Sequence, residues 1–386
     1  MNEIGVPYML MSKAPGKSLS SFDWPWFTLE MPAKKRNTEI PLLPISTSQK
    51  EKIMHQLGII VAKLSQLRFD RIGSLFEDEG GYTIKTCLSM AHTCYGRDSL
   101  TLERGPFETD VDYYKSLTSI SILHAQQLPM TPHCLFASIP APDDFSKWSD
   151  YSISINRWND FMAIGDKTDS CRNRMDCCIA SQLAQEMIPS LVSQPYPAGF
   201  PLRHMDLNFD NIFVDDEMNV TCVIDWAFCS SVPFVELLAT PGMPYPRDLP
   251  SQNLTSAYRA GFEQTSTERL PWEGTEKIWH LQRFFTMDQT QLYNHFRRFY
   301  SLATEDEQLN LPLLLQAARE KVSPESLGLA EDLPADTQKE DSFFTHEDTT
   351  NRKALARKLT VMMELNQSFV ADQKLWRWLA DAVDAE

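Results

Sequence analysis

The sequence predicts an α+β protein that is mainly helical and carries a small β-hairpin near the middle of the chain. Two short apolar runs, 212–214 and 220–224, flank an acidic turn, which is the pattern of a hairpin. Apolar residues recur at helical spacing in several longer segments, so helices account for most of the remaining chain. These helical segments are 48–67, 111–128, 169–192 and most of the chain beyond about residue 250.

The chain is long enough to bury a large hydrophobic core. Its 386 residues are 42% hydrophobic, which excludes wholesale disorder, and the length suits two domains or one large domain with an extension. Asp and Glu number 52 against 36 Lys and Arg, so the formal net charge is -16. A surface this acidic repels phosphate backbones and anionic lipid, and we therefore expect neither nucleic acid nor a membrane as a partner.

The sequence carries no signal for export. The N-terminus lacks the basic region and the apolar stretch of a secretory signal, and no run approaches the ~18 apolar residues of a membrane-spanning helix. Eight cysteines are scattered along the chain without a Cys-x-x-Cys pair, as expected of reduced and mostly buried thiols. We therefore expect a cytoplasmic protein.

Local signals place several individual elements. Ser48 and Glu51 have the spacing of a capping box at the start of the first helix. Strands are expected at 72–76 and 82–88, on either side of a turn that contains two consecutive glycines. The segment 325–348 holds eight acidic residues and one lysine, which predicts a solvated or flexible stretch, and a final amphipathic helix is expected after it.

One polar stretch has the residue types and the spacing of a phosphoryl-transfer site. His204, Asp206 and Asn211 form a His-x-Asp-x-x-x-x-Asn pattern, and Asp225 follows at the exit of the predicted hairpin. Phosphoryl transfer needs positioning and charge neutralisation from a protein more than covalent chemistry. A carboxylate must orient the attacking hydroxyl, and carboxylate or amide oxygens suit Mg²⁺. A loop with Asp and Asn, beside a hairpin that returns a second Asp, supplies these groups.

A plainer interpretation of the same stretch is an ordinary turn. Short loops rich in Asp and Asn are common because these side chains hydrogen-bond nearby backbone groups. The match of Asp206 and Asn211 is therefore a weak signal when it stands alone. The two apolar strands and the Asp225 at their exit strengthen the phosphoryl-transfer interpretation.

Four stretches of the sequence resemble one family. The segment 5–19 (Gly-Val-Pro-Tyr-Met-Leu-Met-Ser-Lys-Ala-Pro-Gly-Lys-Ser-Leu) is similar to the strand and hinge that join the two lobes of kinase-like proteins. The segments 67–75 and 103–107 resemble stretches of fungal members, and 202–233 is similar to the catalytic and metal-binding loops. Over roughly residues 1–260, the chain thus resembles the aminoglycoside phosphotransferase family of the protein-kinase-like superfamily, in particular its fungal members.

The resemblance implies a role for each motif residue. Asp206 matches the catalytic Asp that orients the substrate hydroxyl, and His204 matches a His that braces the loop. Asn211 and Asp225 match the ligands of Mg²⁺. The hinge backbone, which hydrogen-bonds adenine in this family, corresponds to Met11, Ser12 and Ala14.

The resemblance also implies a kinase-like fold reduced mainly to its helical C-lobe. Family members have an N-lobe whose strands cover the phosphates and whose Lys contacts them, whereas this sequence has no Gly-x-Gly and no Lys before the hinge. The expected organisation is a remnant N-lobe strand and hinge at 1–19, the C-lobe at 20–260 and a helical extension at 261–386. The surface beside the hinge is expected to be covered by that extension or by a protein partner, unless the chain is a truncated form.

Two functions follow from these observations. The first is transfer of the γ-phosphate of ATP, with Mg²⁺, to a hydroxyl of a small molecule that the sequence does not identify. The second is a non-catalytic, pseudokinase-like binding module, which the lack of a Gly-rich loop and of an N-lobe Lys favours. Neither Gly-x-Ser-x-Gly nor His-Glu-x-x-His occurs, which excludes the hydrolase classes that depend on these motifs.

Overall fold

The structure, a computed structural model, is a mixed α+β fold, which confirms the predicted class. Its kinase-like architecture stays a prediction. The residues that the structure describes are 12–24, 42–130, 136, 170–191, 199–243, 249–266, 270–286 and 292–330.

The strands in these residues form two small antiparallel sheets. One sheet contains β1 (Lys17–Ser18), β6 (Ile212–Val214) and β7 (Val220–Val223), with β6 in the centre. The strands of the other sheet are β2 (Arg68–Phe69), β3 (Gly73–Asp78), β4 (Gly81–Lys85), β5 (Phe200–Arg203) and β8 (Ser230–Ser231). Their order is β2-β5-β8-β3-β4.

The helices of the described segments range from one turn to more than five turns. In chain order they are α1 (Thr47–Leu64), α2 (Met90–Thr93), α3 (Asp110–Gln127), α4 (Cys171–Leu191), α5 (Phe234–Leu238), α6 (Gln252–Thr265), α7 (Thr275–Thr286), α8 (Leu292–Thr304) and α9 (Leu311–Arg319).

Two hydrophobic clusters hold these elements together. The first is built mainly by α3, α4, α7 and α8, and the second by α1, α5, α6 and the β6–β7 hairpin. Residues 204–211, between β5 and β6, contribute Leu207 and Phe209 to the second cluster. Because these two side chains are anchored in a core, the polar residues between and beside them are held in place.

Most elements lie where the local patterns predict them. The β3–β4 pair, the β6–β7 hairpin, α3 and α4 are all confirmed. The start of α1 was predicted wrongly, because the capping box is formed by Ser46 and Gln49, not by Ser48 and Glu51. Both pairs have the same spacing, so sequence alone does not distinguish them, and the helix begins earlier than predicted.

Two predicted elements, the strand that begins the segment 5–19 and the last helix, lie outside the described residues, which start at residue 12. Of the acidic segment, the structure describes the beginning, where Glu325–Leu327 forms a 3₁₀ turn. Within the described part of the chain, no helix is both long and apolar enough to cross a membrane. Among the cysteines described there, Cys87, Cys94, Cys178, Cys222 and Cys229 are free thiols.

Candidate functional site

The motif loop, residues 204–211, connects a strand to the hairpin. It follows β5 and leads directly into β6. Its last residue, Asn211, accepts a hydrogen bond at its carbonyl from the Ile224 N–H at 3.0 Å. Because this bond continues the β6–β7 ladder, Asn211 and Asp225 occupy adjoining positions although they are distant in sequence.

His204 ties the motif loop to the end of β7. The residue is 3% exposed, its Nδ1 accepts from the Asp206 N–H at 3.2 Å, and its Nε2 lies 2.9 Å from the Ile224 carbonyl. An acceptor at Nδ1 requires the proton at Nε2, so Nε2 donates to Ile224. Burial lowers the pKa of His204, opposed by the Ile224 carbonyl and the nearby carboxylates of Asp206 and Asp225. A neutral ring therefore braces the loop.

Two amide side chains hold the carboxylate of Asp206. Asn208 Nδ2 donates to Asp206 Oδ1 at 2.8 Å, and Asn211 Nδ2 donates to Asp206 Oδ2 at 3.2 Å. The Asn208 amide is itself oriented by the Asp210 N–H, which donates to its oxygen at 2.8 Å. Both asparagines are buried. Each carboxylate oxygen keeps a further lone pair, so Asp206 is a fixed group that can still accept a proton.

Asp225, which lies just after β7, has a left-handed backbone conformation. Its φ is 58° and the residue is exposed. Asp tolerates this region better than most residues with a Cβ, yet the conformation still costs about 1–2 kcal/mol. Its neighbour Trp226 packs edge-on against His204, with ring centroids 4.7 Å apart. Strain of this kind concentrates at functional sites, and here it lies at a residue that the motif assigns to Mg²⁺.

Two side-chain oxygen groups that no described residue occupies, the Asn211 amide oxygen and the Asp225 carboxylate, suit a hard cation. The Asn211 amide nitrogen is engaged by Asp206, so the amide oxygen is the atom left for a ligand. Within the described residues, no three or more His, Cys, Asp or Glu side chains are grouped to hold a metal ion. Mg²⁺ is commonly held by one or two side chains together with substrate phosphates. The two residues therefore fit Mg²⁺ in combination with a nucleotide.

The segment before β1 runs close beside the hairpin. The Pro15 carbonyl accepts a hydrogen bond from Thr221 Oγ1 at 2.6 Å. Gly16 has a φ of 94°, and a Cβ there would clash with the Val214 carbonyl. Glycine is therefore required at this position, both for its backbone conformation and for the close approach.

The predicted hinge residues lie just before this contact. The backbones of Ser12 and Ala14 make no hydrogen bond to another described residue, so their N–H and C=O groups are available. Met11, the third predicted hinge residue, lies outside the described residues. Of the predicted site, the structure brings His204, Asp206, Asn211 and Asp225 together.

Comparisons of the chain with models of protein families, with curated proteins and with solved structures gave no match. The resemblance to aminoglycoside phosphotransferases therefore rests on the motifs, and family membership stays a prediction.

A buried ion pair beside the motif loop was not indicated by the sequence analysis. Arg203 donates to Glu236 Oε2 at 2.6 Å and to Gln282 Oε1 at 3.1 Å. Glu236 is 1% exposed, and burial raises its pKa while Arg203 opposes the shift. Glu236 is the one acidic residue in the apolar helix α5. An isolated acid in such a helix is the signal that could have indicated a buried partner.

Glu236 and Gln282 keep hydrogen-bonding capacity that no described residue uses. Tyr114 and Gln282 lie close enough to the Glu236 carboxylate to favour its charged form and lower its pKa. Neither reaches it at hydrogen-bond geometry, so Glu236 Oε1 and Gln282 Nε2 have no hydrogen-bond partner among the described residues. Leaving a buried polar atom unsatisfied costs about 1–3 kcal/mol. Both atoms are fully buried, so this cost falls on the folded ion-pair network itself.

Proposed function

We propose that this chain is a kinase-like phosphotransferase that transfers the γ-phosphate of ATP to a hydroxyl of a small molecule. The observation that supports this best is the geometry around Asp206. Asn208 and Asn211 hold its carboxylate, and the hairpin returns Asp225 beside Asn211. A fixed carboxylate next to two hard oxygen donors is the arrangement that phosphoryl transfer requires.

The chemistry in this function centres on Asp206. Its carboxylate orients the acceptor hydroxyl and takes the proton as the hydroxyl oxygen bonds to the γ-phosphorus of ATP. The bond between that phosphorus and the β,γ-bridging oxygen breaks, and ADP leaves. Mg²⁺ would be held by the Asn211 amide oxygen and the Asp225 carboxylate, where it would offset phosphate charge. His204 remains neutral and positions the loop.

The free backbone groups of Ser12 and Ala14 would hydrogen-bond the adenine ring, in the role that the resemblance implies for the hinge. Their position supports this role, since the chain continues from them along the hairpin that carries Asp225. A non-catalytic module would use the same surface for binding without transfer.

Mg-ATP binding to the purified full chain, measured by isothermal titration calorimetry, tests the proposal. Asp225→Asn removes the charge but retains a residue that tolerates left-handed backbone. We expect saturable binding that requires Mg²⁺ and that weakens at least 10-fold in Asp225→Asn. Glu217→Gln, which alters an exposed acid in the hairpin turn, is the matched control and should bind as the wild type does.

Two results would contradict the proposed enzyme. A folded wild-type chain that binds no Mg-ATP would show that the chain has no nucleotide site. If Asp225→Asn binds Mg-ATP as tightly as the wild type does, Asp225 does not belong to the nucleotide site. Saturable ATP binding that is independent of Mg²⁺ would instead favour the non-catalytic module.

A further inference from the structure

A cavity of about 250 Å³ is lined by residues of α2, α3 and α7 and lies beside the motif loop. Most of its wall is apolar, with Met90, Leu117 and Phe285 among the residues that form it. Met205 belongs to the wall, whereas Asp206 does not. The volume lies just below the usual range for drug-sized ligands. The cavity therefore suits a compact and mainly apolar molecule.

Two arginines of this wall converge on a single atom. Arg203 Nη2 donates to Gln282 Oε1 at 3.1 Å, and Arg283 Nη1 donates to the same oxygen at 3.2 Å. Both arginines line the cavity. Two guanidinium groups are thus held close together in a mainly apolar wall, where like charges repel more strongly than in water. An anion beside such a pair stabilises it.

The other titratable residues of the described wall do not balance the two arginines. Glu236 is the one acid there, and it accepts from Arg203 Nη1 at 2.6 Å. Cys94 and Tyr113 also line the cavity, and burial raises the pKa of each, so both are neutral at pH 7. The described wall therefore carries an excess of positive charge even when Glu236 is ionised.

The charges directly behind the wall leave this excess in place. Arg97 donates to the carbonyls of two wall residues, Ala91 at 2.6 Å and Phe285 at 2.8 Å. Asp110 lies close enough to Glu236 for the Glu236 charge to help raise the pKa of Asp110. One cation and one acid thus offset each other behind the wall.

The arginine is the accessible member of the Arg203–Glu236 pair. Its side chain is 17% exposed, against 1% for the side chain of Glu236. The hydrogen bonds of Arg203 to described residues use two of the five N–H groups that a guanidinium carries. A ligand in the cavity therefore meets the positive side chain, and the carboxylate of Glu236 lies behind it.

We propose that this cavity binds a small, apolar carboxylic acid as its anion, with the carboxylate at the Arg203–Arg283 pair and the apolar body against Met90, Leu117 and Phe285. The anion balances the excess positive charge, and guanidinium groups form charge-assisted, often bidentate hydrogen bonds with carboxylates. The same pair repels an ammonium group. This site is separate from the function proposed above, since Asp206 does not line the cavity.

Three probes test the ligand class on the full chain in the absence of nucleotide. Phenylacetate carries both a ring and an anion, phenylacetamide is its uncharged isostere, and acetate has the anion without the ring. Dissociation constants are measured by ligand-observed NMR titration at one fixed chloride concentration, because chloride competes for guanidinium groups. We expect phenylacetate to bind at least 10-fold more tightly than either relative, because phenylacetamide loses the charged pairing and acetate loses the apolar burial.

A pair of arginine variants tests the role of the guanidinium groups. Arg283→Gln removes one of them and should reduce the preference for phenylacetate over phenylacetamide to less than threefold. Arg71→Gln is the matched control, since it removes the same charge at an exposed arginine outside the cavity and should leave the preference unchanged. Arg203 is kept in both variants, because its loss would leave Glu236 buried without its partner.

A pair of tryptophan variants tests the location. Met90→Trp fills the cavity from a half-buried wall position and should abolish phenylacetate binding. Leu88→Trp adds the same side chain at an exposed position outside the cavity and should leave the affinity unchanged. If a variant of one pair fails to fold, the other pair still decides whether the anion binds here.

Four results would each overturn this inference: phenylacetamide binding as tightly as phenylacetate, an equal loss of preference in Arg283→Gln and Arg71→Gln, phenylacetate binding that survives in a folded Met90→Trp, or no phenylacetate binding by folded wild-type chain. Since these titrations contain no nucleotide, their failure is distinct from failure of Mg-ATP binding. Phenylacetate binding by a chain that does not bind Mg-ATP would refute the phosphotransferase and leave the cavity assigned.

Discussion

His204 contributes to the candidate site through its hydrogen bonds to the backbone. A general acid or base needs an accessible nitrogen and a pKa near the working pH. Both ring nitrogens of His204 are engaged, one by the Asp206 N–H and the other by the Ile224 carbonyl, and burial lowers the pKa. The ring is therefore a positioning group, as the motif resemblance implies.

We predict that His204→Ala lowers the free energy of unfolding by about 2–4 kcal/mol, because the Asp206 N–H and the Ile224 carbonyl both lose their partner in a buried setting. Urea unfolding of the full chain measures the change. His204→Gln, which can still donate one hydrogen bond, should recover part of the loss. Unchanged stability of His204→Ala would show that the ring does not brace the loop.

Helices α1 and α6 approach closely enough that two positions on them require glycine. A Cβ on Gly58 would clash with the Tyr258 carbonyl, and a Cβ on Gly261 would clash with the His55 carbonyl. Neither glycine has a positive φ, so the requirement comes from the helix contact and not from backbone conformation. This crossing packs the second hydrophobic cluster, on which the motif loop rests.

Gly58→Ala and Gly261→Ala should each destabilise the chain by about 2 kcal/mol or more. Alanine is the better helix former by about 1 kcal/mol, but the helices must separate to admit the methyl group, and overpacking outweighs that gain. Thermal unfolding provides the measurement. Gly80→Ala is the matched control, since its Cβ would meet only Asp78 Oδ1 at 3.4 Å, and its stability should change by less than about 1 kcal/mol. A stabilised Gly58→Ala would contradict the close packing.

Local sequence patterns were sufficient to predict the β6–β7 hairpin and the polar residues beside it. Apolar strands around an acidic turn place Asn211 beside Asp225, so the arrangement of the motif follows from short-range signals. Contacts between distant segments were not predictable in this way. The Arg203–Glu236 pair joins a strand to a helix 33 residues later, and the glycines of the α1–α6 crossing carry no side chain whose pattern could indicate a partner.

Buried histidines couple the stability of the whole molecule to pH. Burial, together with the charges of Arg97 and Arg104, lowers the pKa of His92 to about 3. His280 and His295 meet between α7 and α8 with their Nδ1 atoms 3.2 Å apart, so one ring must donate and the other accept. Burial lowers the pKa of both. All three rings are therefore neutral in the folded chain at pH 7.

We predict that the melting temperature falls when the pH is lowered from 7.5 to 5.5. The folded pKa of His92, His280 and His295 lies below the ordinary value near 6.5, so the unfolded chain binds more protons below that pH. Their contribution to stability is complete above pH 6.5 and is lost as the pH falls. Each histidine lowers the free energy of unfolding by up to about 1.4 kcal/mol for every pH unit below 6.5.

A half-buried acid, Asp110, and a buried one, Glu236, act in the opposite direction as the pH falls. Burial, with the charge of Glu236, raises the pKa of Asp110 to about 6, and burial also raises the pKa of Glu236. The folded chain therefore takes up protons at these groups as the pH falls, which offsets part of the loss of stability.

Asp110→Asn removes one of these offsets, so we expect the melting temperature of this variant to fall more steeply between pH 7.5 and 5.5 than that of the wild type. Differential scanning calorimetry at both pH values measures the melting temperatures. A wild-type melting temperature at pH 5.5 that equals or exceeds the value at pH 7.5 would show that the histidines do not dominate the pH dependence of stability.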